Sequence, residues 1–194
     1  MPTGVALRDA REQLFDAAER VLLRDGANAL TSRAVTTEAG CAKGVLHRHF
    51  TDFDAFLAEL VRDRIARLEP QSTALRQSAG TGTVAANLAT ALTALFGPLA
   101  VAVVGLVISR DALRDRLRET TPRGIPLLNE ATTMLTAYLT AERDLGRLAS
   151  DADVDTLART LIGAGHLLAA GEGVDPEGVR RIVATVVGGV VTGG

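Results

Sequence analysis

The amino-acid sequence predicts an all-α protein of about nine helices. Apolar residues recur at helical spacing along nearly the whole chain, and residues that typically begin or end helices separate these segments. Leu14, Val21 and Leu22 share one face of the first segment. Gly26 then supplies the left-handed backbone conformation in which helices commonly end.

In the last segment, residue propensity and periodicity disagree. The segment is rich in valine, which favours strands. Val179, Ile182 and Val186 nevertheless follow helical spacing. Asp175 followed by Pro176 is a typical helix start, because the acid can cap the first turn and proline fits the first helical position. We therefore expect a helix here.

The stretch 71–82 is polar and rich in glycine, and it is predicted to be a joint between two parts of the chain. Residues 80–85 superficially match a dinucleotide-binding fingerprint, but no strand is predicted before them, so we interpret them as loop. The sequence contains no P-loop, nucleophile elbow or His-Glu-x-x-His motif. We therefore expect no enzymatic activity.

Composition indicates a soluble cytoplasmic protein. Hydrophobic residues make up 47% of the chain and charged residues 23%, which is ordinary for a globular domain. The single cysteine, Cys41, excludes an internal disulfide and fits a reducing compartment. The first ten residues lack the apolar core of a signal peptide. His47 and His49 do not share a helix face, so we expect no metal site, and no cofactor is indicated.

One uncharged run, residues 77–109, is long enough to cross a bilayer. Gly97 and Pro98 split it into two parts, each too short to cross alone. We interpret the run as two buried helices of a globular domain, with a membrane span as the weaker alternative.

Residues 31–50 have the pattern of a helix-turn-helix. Thr31 is a typical N-cap for a short helix, and Gly40 marks the tight turn before a third helix at about 42–49. Apolar residues at helical spacing are expected to face inward, and they are Val35, Ala39, Leu46 and Phe50. In such motifs the second of the two helices enters the major groove of DNA.

This region resembles the tetracycline-repressor-like family of regulators, closely so over about residues 11–60. The residues that carry the resemblance are Ala17-Ala18-Glu19-Arg20, Gly26, Leu30-Thr31, Val35, Ala39-Gly40, Lys43-Gly44, Leu46, Arg48-His49-Phe50 and the helix start at 52–57. The resemblance implies a DNA-binding domain at 1–52 and a helical ligand-binding and dimerisation domain at 53–194. It also implies a homodimer that represses transcription from operator DNA until a small-molecule effector binds.

The resemblance assigns DNA contacts to the starts of the two motif helices and to the exposed face of the second. The implied residues are Thr31, Ser32, Arg33, Ala42, Lys43, Gly44, Val45, His47, Arg48 and His49. Four positions depart from the usual family pattern: Ala42 replaces a capping Ser, Val45 a Thr, His47 a Tyr, and Phe53 a phosphate-contacting Lys. These departures change the expected contact pattern rather than the fold.

Five residues of the C-terminal part are candidates to line an effector pocket: Phe96, Ile108, Met134, Tyr138 and His166. Tyr138 and His166 are the strongest, because a polar tip in an apolar setting requires a partner. We expect no carboxylate near either side chain, which favours an uncharged, largely apolar ligand. Plain core packing is the alternative for each of the five.

Apolar stripes on the last two helices predict the dimer interface. The expected residues are Val154, Leu157, Leu161, Gly165, Leu168, Val179, Ile182, Val183, Val186, Val187 and Val190. Glycines at 163, 165, 188 and 189 would permit close approach of the helices.

A second interpretation is a helical ligand-binding or interaction protein that has kept this fold and lost operator binding. It is favoured by Ala42 and Phe53, and by the near balance of seven basic against six acidic residues over 8–50.

Overall fold

A computed structural model describes residues 4–42, 44–119 and 124–192, with the side chains of residues 4–9 and 172 left out. The described residues form eleven α-helices and no strand, so the predicted all-α class is confirmed. The helices are α1 Gly4–Asp25, α2 Ser32–Glu38, α3 Gly44–His49, α4 Phe53–Ala66, α5 Leu68–Gln77, α6 Val84–Leu95, α7 Pro98–Ser109, α8 Asp111–Leu117, α9 Leu128–Asp144, α10 Val154–Glu172 and α11 Pro176–Val187.

The helices pack into two compact units. The N-terminal unit comprises the described residues up to Asp63 together with those from Ala102 to Ile125. The C-terminal unit comprises Arg64–Val101 and the described residues from Pro126 onward. These two units are defined by how the helices pack. They do not test the functional boundary expected at residue 52, which stays a prediction.

Local capping sets the ends of the helices in the N-terminal unit. Gly26 adopts a φ of 80°, and its N–H donates to the Leu22 carbonyl, so the chain leaves α1 at the predicted residue. Asp52 caps α4, because its carboxylate accepts from the Ala55 N–H at 2.8 Å. One face of α1 is buried, including Leu14, Ala17, Ala18, Val21 and Leu22.

The C-terminal unit is built around packed pairs of helices. α9 packs against α5 and α10, and α11 packs against α6 and α10. Its core is mainly aliphatic, with Phe96 and Tyr138 as its aromatic members. Leu88 and Leu92 of α6, Leu135 of α9, Leu161 of α10 and Val183 of α11 are fully buried in one cluster.

The expected joint at 71–82 is wrong over most of its length, because α5 continues to Gln77. Pro70 lies in the first turn of α5, where an N–H has no intrahelical partner to lose. Leu75 packs into the core against α9, and this burial outweighs the polar composition of the segment. The loop begins only after Gln77, and it contains Gly80 and Gly82 at positive φ.

The valine-rich last segment is the helix that periodicity predicted. Asp175 accepts hydrogen bonds from the N–H groups of Glu177 at 3.0 Å and Gly178 at 2.8 Å, and Pro176 begins the helix. Val183 of the same helix is completely buried.

Within the described parts of the chain, no single helix is long and apolar enough to cross a membrane. α6 and α7 reach the required length and hydropathy only as a pair bent by 62°.

Candidate nucleic-acid interface

The helix-turn-helix is closed by hydrogen bonds at both ends of α2. At the start, the Thr31 hydroxyl accepts from the Ala34 N–H at 3.1 Å, as the sequence predicted. At the end, Gly40 adopts a φ of 64°, its N–H donates to the Thr37 carbonyl, and the Cys41 N–H donates to the Thr36 carbonyl. The turn is therefore fixed by the backbone, and α3 begins three residues after Cys41.

An aromatic cluster holds the end of α3 in place. Phe50, directly after α3, lies 5.0 Å from Phe56 of α4 and 6.0 Å from Phe15 of α1, measured between ring centroids. Leu46 of α3 is completely buried, and the Arg11 guanidinium covers the Phe50 ring at 4.8 Å. Because one face of α3 is fixed in this way, its opposite face is presented to solvent.

Most of the described candidates for DNA contact are exposed, although the Ser32 hydroxyl itself is buried. The exposed members are Thr31, Arg33, Ala42, Gly44, His47 and Arg48, and the half-buried members are Ser32, Val45 and His49. Lys43, also expected at this surface, lies outside the described residues. Of the four residues predicted to face inward, Val35, Leu46 and Phe50 are buried, and Ala39 is half-buried.

The acidic residue nearest the turn is neutralised from α1. Glu38, the last residue of α2, receives hydrogen bonds from Arg20 at 2.8 Å and from Arg24 at 2.9 Å. The Arg20 and Arg24 guanidinium groups hold the pKa of the Glu38 carboxyl below its usual value. A carboxylate that would otherwise repel DNA is thereby paired within the protein.

Two arginines of the motif keep their charge available. Arg33 of α2 and Arg48 of α3 are exposed, and neither forms an ion pair with any described carboxylate. An exposed cation without a protein partner is free to meet phosphate or a base edge. The bulk charge of −2 hides this local positive surface.

Sequence reasoning missed Arg110, which supports the motif from just before α8. Its guanidinium donates to the Leu30 carbonyl at 2.6 Å and lies 5.6 Å above the Phe53 ring. Phe53 in turn stacks on Phe56, with ring centroids 5.6 Å apart. Phe53, where the family pattern has a phosphate-contacting Lys, therefore serves as a platform for Arg110. No local pattern signals a contact across 80 residues.

A second ion pair joins α8 to the start of α4. Arg116 lies 2.5 Å from the Asp52 carboxylate. The backbone N–H of Ala55 lowers the pKa of Asp52, and Arg116 lowers it further. The capping residue of α4 is thus held charged at neutral pH, with a cation of α8 beside it.

The five candidates for the effector pocket have different surroundings in the structure. Ile108 lies in the N-terminal unit and is 47% exposed. In the C-terminal unit, Phe96 is buried and its ring lies 6.2 Å from that of His166. Met134 is the one candidate of the five that lines a cavity among α5, α6 and α9.

The expectation that no carboxylate lies near Tyr138 is wrong. The Tyr138 hydroxyl donates to the Glu142 carboxylate at 2.6 Å, and both side chains are completely buried. Glu142 also pairs with Arg147 at 3.3 Å and accepts from the Gly80 N–H. Burial, and then the hydrogen bond to Glu142, raise the pKa of Tyr138 well above its usual value. The spacing of four residues on one helix was the signal for this pair.

The eleven residues expected at the dimer interface fall into two groups in the structure, one buried in the core of the single chain and one partly buried. Six of its residues already lie inside the core of the single chain: Val154, Leu161, Gly165, Val179, Val183 and Val187. They are buried because α10 and α11 need the stripe to pack on their own neighbours. The other five are partly buried at its edge: Leu157, Leu168, Ile182, Val186 and Val190.

Among the described residues, no group of three His, Cys, Asp or Glu side chains could hold a metal ion.

Comparison with known proteins gives one family match. Residues 14–60 match the model of the bacterial regulatory proteins of the tetR family. This segment runs from the buried Leu14 of α1 to Leu60 of α4, and so contains the whole helix-turn-helix. No curated protein matches the chain.

Solved structures share the fold over nearly the full length. The reduced form of NemR from E. coli has a TM-score of 0.74 at 18% identity, covering 94% of this chain and 98% of that one. FadR from Bacillus halodurans, a fatty acid degradation regulator, has a TM-score of 0.73 at 16% identity, covering 93% and 95%. A TetR-family regulator from Agrobacterium tumefaciens has a TM-score of 0.71 at 16% identity, covering 95% and 99%. The segment that contains the helix-turn-helix is therefore similar to the tetR family of bacterial regulatory proteins, and the chain shares the fold of these solved structures.

Proposed function

We propose that the protein is a homodimeric transcriptional repressor that binds operator DNA through α2 and α3 and is released by a small, largely apolar molecule. The observation that carries the proposal is the outer face of the helix-turn-helix, where Arg33 and Arg48 are exposed without a described carboxylate partner. The aromatic cluster beneath α3 keeps this face in a fixed orientation before DNA arrives.

The two arginines have different tasks. Arg33 lies in the first turn of α2, the helix that crosses the DNA backbone in such motifs, and is assigned to phosphate. Arg48 and His47 lie on α3, the helix that enters the major groove, and Val45 offers an apolar contact to a thymine methyl. Lys43 precedes this helix in the sequence and is expected to add a phosphate contact.

The dimer proposal rests on the outer face of α10. Leu167 is 75% exposed there, and Gly163, one turn earlier, leaves room for a close approach. Ile182 and Val186 of α11, half-buried in the single chain, extend the apolar area. A second copy of the chain would cover this surface and bring two recognition helices to one palindromic operator.

The dimer is tested by replacing Leu167 with glutamate and measuring the oligomeric state by light scattering. We expect the wild type to be a dimer at micromolar concentration and Leu167→Glu to be a monomer, because a buried unpaired carboxylate disfavours association. The matched control is Leu145→Glu, a leucine that is 58% exposed outside α10 and α11 and should leave the dimer intact. A wild-type monomer would contradict the proposed assembly.

The second candidate function is a helical ligand-binding protein of the same fold without specific operator binding. Phe53 favours it, because this residue packs under Arg110 instead of offering a cation to phosphate. It predicts ligand binding with no preference for any genomic DNA fragment.

The two functions are separated by fluorescence anisotropy with DNA from upstream of the protein's own gene. We expect that DNA to bind more tightly than random DNA, and Arg48→Ala to weaken specific binding by about 1–3 kcal/mol if Arg48 reads a base. Arg76→Ala, which removes an exposed arginine from α5, is the matched control and should have no effect. Equal affinity for upstream and random DNA would favour the second function.

A further inference from the structure

A cavity of about 260 Å³ lies among α5, α6 and α9 in the C-terminal unit. We call it the α5–α6–α9 cavity. Its lining residues are Gln71, Ala74, Leu75, Ser78, Asn87, Thr90, Ala91, Ala94 and Met134. An apolar cavity of about 150 Å³ holds benzene, so this space accommodates one six-membered ring with a few further atoms. Its volume lies near the lower end of the range for ligand sites.

None of the lining residues carries a charge. The nearest buried acid of the unit, Glu142, reaches the cavity only through Tyr138 and Asn87, and its carboxylate is already paired with Arg147. A cationic ligand would therefore find no carboxylate here, and an anionic ligand would find no arginine or lysine. Gln71, Ala74, Thr90 and Ala94 of the lining are exposed, so the cavity is open to solvent. A charge placed there would be partly desolvated without an opposite charge beside it, which favours neutral molecules.

Three of the four polar side chains of the lining, Ser78, Asn87 and Thr90, have already used their donors. The Ser78 hydroxyl donates to the Leu75 carbonyl at 2.7 Å, and the Thr90 hydroxyl donates to the Ala86 carbonyl at 3.0 Å. The Asn87 amide nitrogen lies within 3.2 Å of three acceptors, more than its two protons require. Each hydroxyl oxygen keeps a lone pair, so Ser78 and Thr90 offer acceptors to a ligand. Of the lining residues, Gln71, which is exposed, has N–H groups still to offer.

We propose that the α5–α6–α9 cavity binds a neutral molecule with an apolar body about the size of one ring and a hydrogen-bond donor, such as an alcohol, that donates to the Thr90 hydroxyl. The inference rests on the proposed function, for which it names the class of effector. It predicts that neutral molecules bind at this site more tightly than organic cations and carboxylates do.

The protein contains its own reporter for this cavity. Tyr138 is the single tyrosine of the chain, and the sequence has no tryptophan. The Asn87 amide, which lines the cavity, donates to the Tyr138 hydroxyl at 3.0 Å. A ligand that contacts Asn87 therefore alters the surroundings of the only strongly fluorescent side chain in the protein.

The test is calorimetric titration of the full chain, without DNA, with four probes that share one ring: cyclohexylmethanol, its methyl ether, cyclohexanecarboxylate and cyclohexylmethylammonium. We expect the alcohol to bind with a millimolar or lower Kd. The ether should bind about two- to tenfold more weakly, because it lacks the donor. The two ions should bind at least about tenfold more weakly than the alcohol. None of the probes absorbs where tyrosine does, so the emission of Tyr138 should change over the same concentration range.

Two variants of α6 locate the site. Thr90→Val removes a lining acceptor, so it should weaken binding of the alcohol about two- to tenfold and leave the affinity for the ether unchanged. Thr93→Val is the matched control, because Thr93 also donates to the carbonyl four residues earlier but does not line this cavity. Ala91→Leu fills the cavity and should abolish binding of all four probes, with circular dichroism confirming that each variant is folded.

Three results with the wild-type protein would overturn the inference: equal affinity for alcohol and ether, an ion that binds as tightly as the alcohol, or no binding by any probe at millimolar concentration. Unchanged affinity in Ala91→Leu would place the site elsewhere and overturn it equally. Because the titration contains no DNA, its result is independent of whether the protein represses transcription. Operator binding without these ligand effects would leave the proposed DNA-binding function standing and remove only the effector class.

Discussion

Replacement of Tyr138 by phenylalanine removes a single oxygen from the core of the C-terminal unit. That oxygen donates to the Glu142 carboxylate at 2.6 Å and accepts from the Asn87 amide at 3.0 Å. A hydrogen bond to a charged group contributes about 1.5–3 kcal/mol. Glu142 keeps its contacts with Arg147 and the Gly80 N–H, so the loss should lie near the middle of this range. We expect the free energy of unfolding to fall by about 2 kcal/mol.

In a protein of this size, 1 kcal/mol shifts Tm by about 2–4 °C, so the expected fall in Tm is about 4–8 °C. Circular dichroism at the helix minimum during heating measures it. Thr133→Val is the control, because it removes an exposed hydroxyl from the same helix, and its effect should stay within about 0.5 kcal/mol. Equal Tm values for Tyr138→Phe and Thr133→Val would refute the reasoning that the buried pair stabilises the fold.

Three further predictions concern packing, support of the motif and pH. In urea unfolding, Gly165→Ala should cost about 1–3 kcal/mol, because its Cβ would lie 2.5 Å from the Phe96 ring. Gly105→Ala, at an exposed position of α7 whose Cβ meets nothing within 4 Å, is the control and should keep at least wild-type stability. Arg110→Ala should cost about 1–2 kcal/mol, because the carbonyl just before the α2 N-cap loses a charged donor, and unchanged urea midpoints would contradict this. In an alkaline titration, the tyrosinate absorbance of Tyr138 should rise only well above the usual pKa of about 10 or upon unfolding. Because folding raises the pKa of Tyr138, its protonated hydroxyl stabilises the folded state, fully so below the unfolded-state pKa of about 10. This contribution is lost as the pH rises from there toward the folded-state pKa. Ionisation of Tyr138 in the folded protein near pH 10 would contradict its burial.

The helix ends could be predicted from sequence because capping is local. Thr31 and Asp175 each accept from a backbone N–H within three residues of their own position. The side chain, the turn and the helix start therefore lie within one short window of sequence. The same holds for Gly26 and Gly40, where the left-handed conformation itself marks the end of a helix.

The tertiary partner of an apolar stripe could not be predicted in the same way. Periodicity identified the stripe of α11 correctly, but it does not distinguish a face that packs in the chain's own core from one that meets a second copy. Val179 and Val183 belong to the core, whereas Leu167, which was not in the predicted set, is left exposed on α10. Composition likewise failed for α5, because Leu75 packs into the core from a largely polar helix.

The candidate site shows the same division. Spacing predicted an outward position for Arg48 of α3, which is exposed. Arg33, which the family resemblance assigned to DNA, is exposed in the first turn of α2, and its contact with DNA stays a prediction. The residues that support the helix-turn-helix lie far along the chain: Arg110 donates to the Leu30 carbonyl, and Arg116 pairs with Asp52. Contacts of such sequence separation leave no periodic signal, so only the structure reveals them.

The central claim is that this helix-turn-helix binds DNA through local positive charge in a chain whose net charge is −2. The most direct measurement is the salt dependence of binding to the upstream region of the protein's own gene. We predict that log Kobs falls linearly with log salt, with a slope of about −0.9 for each phosphate contacted, and that this DNA keeps an advantage over random DNA at every salt concentration. A slope near zero, or an affinity no greater than for random DNA, would contradict the account.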